Sequence, residues 1–111
     1  MDIQTKTRQG AMVCELSGKF DIEQTEKFEN AFMDLIQSKP GHVGLDLGNV
    51  SYIDSSAISA IIKSLNLVKN YGGEMSLFNM KPAILEVFKM SRLDNFFKIM
   101  SAEEFNLKFP E

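Results

Sequence analysis

Short apolar runs that alternate residue by residue recur along this chain between longer runs of period about 3.6, and glycine or proline stands at most of the joins. No other feature constrains the fold as much, because strands that alternate with helices pair side by side in a largely parallel sheet. Met12, Cys14 and Leu16 alternate with Val13 and Glu15 as in a strand. Ile3 to Arg8 is expected to pair with it as a hairpin through Gln9-Gly10, and Gly18 to end the second strand. Asp21, with Gln24 three residues on, has the pattern of a helix N-cap and capping box. Phe28, Phe32, Leu35 and Ile36 then follow at helical spacing until Lys39-Pro40-Gly41.

Val43 to Val50 is the next strand, broken by Asp46 and glycines and prolonged by Tyr52-Ile53. A helix starts near Ser55, with Ile58, Ile61, Ile62, Leu65 and Val68 as its core stripe and Gly72-Gly73 at its end. Met75 to Phe78 is a strand. Pro82 suits the first turn of a helix that turns Ile84, Leu85 and Phe88 inward. Phe96 to Met100 is the last strand, and Ser101 with Glu104 forms a capping box before a short final helix. The predicted fold is α/β: a mixed, largely parallel sheet flanked by about four helices, with an N-terminal antiparallel hairpin. Residues 1–111 are expected to form one domain.

An apolar fraction of 44% lets a chain of 111 residues bury a core without a disulfide. Cys14 is the only cysteine, which suits a reducing compartment. The first residues lack the apolar run of a signal peptide, and no stretch is long and apolar enough to span a bilayer. The expectation is a cytoplasmic protein with no membrane part. A net charge of -3, with twelve scattered basic residues, argues against a nucleic-acid surface and leaves proteins as the expected partners.

In open α/β sheets, function collects at the carboxyl ends of the strands. Three turns are expected there as one rim: Gly18 to Asp21, Ser51 to Ala57, and Asn79-Met80-Lys81. Asp54-Ser55-Ser56 has a plain structural explanation, since Asp and Ser cap helices. It also has a functional one, because a phosphate on an exposed first-turn serine is tolerated by the helix dipole and by free backbone N–H groups. Asp54 could cap the helix, orient the Ser55 hydroxyl, or do both. Asp21 reads as a cap with a possible place on the rim. Ser59, Lys63 and Asn66 lie opposite the core stripe, as a solvated face or as docking surface beside Ser55. Met80 and Met90 suit core gap-filling or adaptable contacts, with Met90 assigned to the core. Cys14 is expected to be buried, and His42 to lie in a surface loop.

The run from Val43 to Ile58, Val-Gly-Leu-Asp-Leu-Gly-Asn-Val-Ser-Tyr-Ile-Asp-Ser-Ser-Ala-Ile, resembles the signature of STAS domains, the anti-sigma factor antagonists. Gly18-Lys19-Phe20-Asp21 resembles that family's first turn. Gly72 to Asn79, Met90, Arg92-Leu93 and Phe97-Lys98-Ile99 resemble its second half. The resemblance implies a phosphorylation switch with Ser55 as the acceptor. The unmodified protein would bind an ATPase-like anti-sigma factor serine kinase and free its sigma factor, and a metal-dependent phosphoserine phosphatase would reset it. The partner-binding group so implied is Asp21, Asp54, Ser55, Ser56, Ser59 and Lys63. No catalytic residue, cofactor or metal is expected. Ala57 stands where the family usually has Gly, adding a methyl group beside the acceptor. The runner-up function is a STAS scaffold or ligand-binding module without phosphorylation. A serine hydrolase would need a base near Ser55, but the sole histidine, His42, lies roughly 25 Å away along the strand.

Overall fold

The computed structural model describes residues 1–111. Its elements are β1 (Asp2–Arg8), β2 (Ala11–Phe20), a 3-10 turn (Ile22–Gln24), α1 (Thr25–Leu35), a second 3-10 turn (Ile36–Ser38), β3 (His42–Ile53), α2 (Ser55–Asn70), β4 (Glu74–Phe78), α3 (Pro82–Met90), β5 (Lys98–Met100) and α4 (Ala102–Lys108). The five strands form one sheet in sequence order. β1 pairs antiparallel with β2, and every other neighbouring pair is parallel. This is the expected α/β arrangement, with the hairpin at one edge.

The two faces of the sheet are covered unequally. Cys14, Leu16, Val43, Leu45, Leu47 and Leu77 point into the larger core, which Phe28, Phe32, Ile61, Leu65, Val68 and Phe88 of α1, α2 and α3 close. Ala11, Val13 and Phe78 point the other way, beneath Phe105 and Phe109. Here α4 presses onto the sheet through a stack of Phe105 on Phe78, with ring centroids 3.8 Å apart. Gly44 makes this approach possible, because a Cβ there would sit 2.6 Å from the Phe105 ring. The predicted capping box of Ser101 and Glu104 fixes the start of α4, with both hydrogen bonds at 3.0 Å.

Several expectations need correction. Gly18 does not end β2. It sits inside the strand at φ +100°, beside a register shift against β3, where a side chain would be strained. Asp21 caps only a 3-10 turn, and Gln24 accepts from the N-terminal amine instead of completing a capping box. β5 starts at Lys98, later than expected, because Phe96 lies in the preceding turn. In α3 the inward positions are Ile84 and Phe88, and Leu85 is half-buried. Met90, expected in the core, is 77% exposed at the end of α3. His42 is no loop residue. It opens β3 and is buried against Phe109, ring centroids 4.4 Å apart, with Nε2 2.8 Å from Ser76 Oγ.

Burial holds His42 below its ordinary pKa of 6.5; the nearby Glu74 carboxylate opposes the shift, while Lys108 and Lys98 add to it. The unfolded chain therefore takes up this proton before the folded one. The stability that neutral His42 contributes is full above pH 6.5 and is lost as the pH falls below that value. Urea unfolding of wild type and His42→Gln from pH 7.5 to 5 should show a steeper loss in wild type. Parallel curves would contradict this.

Candidate functional site

The site is built where β2 and β3 end together. Phe20 pairs with Ile53, and the Asp54 N–H donates to the Phe20 carbonyl at 3.3 Å. Asp54 is extended (φ −117°, ψ 179°) and is the N-cap of α2. Its Oδ1 accepts from Ala57 N–H at 2.9 Å, and its Oδ2 accepts from Ile22 N–H at 3.2 Å. One carboxylate thus caps the helix and ties the β2–α1 turn to it. Both oxygens are engaged by backbone donors, and neither bonds the Ser55 hydroxyl. Of the roles open to Asp54, the geometry carries capping.

Ser55 is the first helical residue and is exposed; Ser56 is half-buried. Ser55, Ser59 and Lys63 recur every fourth residue, so they share one exposed face and span about 12 Å of the helix. Asn66 is exposed further along α2. Asp21 lies next to the tied Ile22, with its own carboxylate accepting from Glu23 N–H at 3.1 Å. The structure therefore brings Asp21, Asp54, Ser55 and Ser56 together at one end, with Ser59 and Lys63 extending from them. Lys63 Nζ is 3.9 Å from Glu29 on α1, an exposed pair of little energetic weight.

The third expected turn is not level with this rim. Phe78, the last residue of β4, pairs with Asp46, seven positions before Ile53. Asn79-Met80-Lys81 therefore lies roughly 20 Å down the strand. There Asn79, at φ 63°, donates to Asp46 Oδ1 at 3.2 Å, and the same oxygen accepts from Gly48 N–H at 2.9 Å.

Ile22 escaped the sequence reading of the rim, and Tyr52, inside the expected turn from Ser51 to Ala57, was not among the expected binding residues. Ile22 is 67% exposed in the turn after β2, and Tyr52, the last residue but one of β3, is 49% exposed. The available signal was weak: Ile22 stands just after a cap and outside the apolar stripe of α1, and Tyr52 is two residues after Val50, in phase with it by strand spacing, so only the register shift opposite Gly18 and Lys19 turns it outward.

Ala57 bears on the acceptor directly. Its side chain is fully buried in the larger core, so the methyl group that replaces the usual glycine hydrogen points inward, away from Ser55. Cys14 is fully buried too, and burial pushes its thiol up to about 12, which leaves no thiolate at neutral pH. His42 is buried at the opposite end of β3 and partnered by Ser76, so no imidazole stands beside Ser55, and both oxygens of the neighbouring Asp54 are taken by backbone donors. No three His, Cys, Asp or Glu side chains converge as a metal site would need. No helix is long and apolar enough to cross a membrane.

Comparison with known proteins agrees with this geometry. The family model of the STAS domain matches residues 2–105. The anti-sigma F factor antagonist of Paenibacillus polymyxa is 29% identical over 101 residues, covering 90% of this chain and 84% of that protein. An anti-sigma factor antagonist from Mycobacterium paratuberculosis superposes with a TM-score of 0.85 at 18% identity, over 96% of this chain and 91% of its own. The antagonist SpoIIAA in its unphosphorylated form superposes with a TM-score of 0.72 at 19% identity, over 96% of each chain. Its phosphorylated form, from Bacillus, gives the same TM-score and identity, over 96% of this chain and 98% of its own. At these identities the structural likenesses speak for the fold. The family match spans almost the whole sequence and includes the Asp54-Ser55-Ser56 turn: the chain belongs to the STAS domain family, whose anti-sigma factor antagonists are regulatory binding proteins rather than enzymes.

Proposed function

We propose that this protein is a cytoplasmic anti-sigma factor antagonist that docks, unmodified, on an ATPase-like anti-sigma factor serine kinase and is released when that kinase phosphorylates Ser55. A phosphoserine phosphatase resets it. The observation that carries this reading is an exposed Ser55 hydroxyl at the first turn of α2, beside an Asp54 whose carboxylate is fully engaged elsewhere. The modification is then free to occur without breaking a bond that the fold needs.

Docking uses Asp21, Asp54, Ser55, Ser56, Ser59 and Lys63, with Ile22 and Tyr52 as the apolar anchors. Exposed apolar side chains inside a polar rim are the usual centre of a protein interface. A shallow groove of about 100 Å³ between α1 and α2 continues the surface past Lys63, lined by Glu29, Phe32, Met33, Lys63, Ser64 and Leu67. Phosphate on Ser55 would place about two negative charges in the middle of this surface, next to the Asp54 carboxylate. The fold tolerates that charge at a helix N-terminus, whereas a partner that must desolvate it does not.

The test is affinity capture from the source cell with wild type and Ser55→Asp as baits. Wild type should recover an ATPase-like kinase and Ser55→Asp should not. Equal recovery by both baits, or by neither, contradicts the proposal.

A further inference from the structure

We infer that the free edge of β1 is a pairing surface for a second copy of this chain, giving an antiparallel dimer with a continuous ten-stranded sheet. The sheet has two edges. β5 is three residues long, too short to pair firmly, whereas β1 runs for seven residues and pairs with β2 without a register break. It contains no proline and no bulge, and Gln4, Thr5, Lys6 and Thr7 are exposed. Such an edge is a template for another strand unless something blunts it.

The hydrogen-bond phase is set by the hairpin. Arg8 and Ala11 close a two-residue turn, so they form a hydrogen-bonded pair. Lys6, Gln4 and Asp2 share that phase and bond inward to β2. Ile3, Thr5 and Thr7 consequently direct their N–H and C=O groups outward. With a two-fold axis at Thr5, Thr5 faces its own copy and Ile3 faces Thr7. All three outward residues then fall at hydrogen-bonded positions, making about six inter-strand bonds.

The same register is self-complementary in charge. It sets Asp2 opposite the second copy's Arg8, whose guanidinium also reaches Asn106, the Phe109 carbonyl and Glu111 of its own chain, and Gln4 opposite its Lys6. These side chains share the α4 face of the sheet, as the Arg8 guanidinium 5.4 Å over the Phe105 ring shows. Lys6 Nζ lies 3.0 Å from Glu15, which offsets the approach of the two copies' Lys6 across the axis. On the opposite face, an open groove between β1 and α1, lined by Ile3, Thr5, Met12, Ala31, Asp34 and Leu35, would be narrowed by the incoming strand. Ser55 follows β3, two strands from this edge, so both copies keep their rims free.

Sedimentation equilibrium of the full chain tests this. The weight-average mass of wild type should rise toward twice the monomer mass as the concentration approaches about 1 mM. Thr5→Pro removes an outward N–H that β2 does not use, so it should keep the wild-type circular dichroism and stay monomeric. Asp2→Lys, which leaves the backbone untouched, should raise the dissociation constant about tenfold. Wild type that remains monomeric throughout, or a dimer equally strong in Asp2→Lys and in folded Thr5→Pro, overturns the inference.

Discussion

Asp54→Ala should lower stability by about 2 kcal/mol and bring Tm down by about 10 °C. Two losses add. The cap on Ala57 N–H is a typical aspartate N-cap, worth about 1 kcal/mol. The second oxygen holds Ile22 N–H from another turn, a charge-assisted bond of about the same net value at a half-exposed site. Asp54→Asn separates the two. An amide keeps a single acceptor oxygen, so this variant should retain the cap, release Ile22 and lose about half as much. Partner affinity should fall in both variants, because Ile22 and Asp21 are no longer held beside Ser55. Thermal unfolding followed by circular dichroism ranks the three proteins. Equal stability of wild type and Asp54→Ala would show that the bridge contributes nothing.

The larger effect is expected on binding. Phosphorylation of Ser55 should weaken docking on the kinase by about a hundredfold or more, equivalent to roughly 3 kcal/mol. The cost comes from desolvating the phosphate and from its repulsion by Asp54 and by any acidic group of the partner. The fold should barely respond. A helix N-terminus favours an anion by about 0.3–1 kcal/mol, so the phosphorylated protein should be as stable as the unmodified one or slightly more so. Calorimetric titration of both forms, with thermal unfolding of each, separates the two quantities. A switch that acted by unfolding α2 would instead lower Tm and affinity together.

Local patterns made much of this legible in advance. The α2 stripe, the Ser101–Glu104 box, the Gln9-Gly10 hairpin and the element order all follow from spacing and turn chemistry, and the structure bears them out. What escaped had no local signature. Val13 breaks the alternation of β2 because α4 covers the second face, and nothing near Val13 announces a helix some ninety residues later. His42 reads as polar and therefore exposed until Ser76 and Phe109 are seen around it. Gly18 looked like a stop because glycine usually punctuates; here its positive φ serves an irregularity inside a continuing strand.

The same limit applied at the site. The motif singled out Asp54-Ser55-Ser56, but the bond from Ile22 joins residues 32 apart and is invisible to any reading by spacing. The inward course of the Ala57 methyl is likewise a property of how α2 sits on the core. It leaves the approach to the Ser55 hydroxyl clear of the added methyl group.

The most direct test of the central claim is to incubate the purified protein with its cognate anti-sigma factor kinase and ATP, then locate phosphate by peptide mass spectrometry. One phosphate on Ser55, absent in Ser55→Ala and retained in Ser56→Ala, is the predicted result. Phosphate that persists in Ser55→Ala, or wild type that stays unmodified while bound to the kinase, would contradict it.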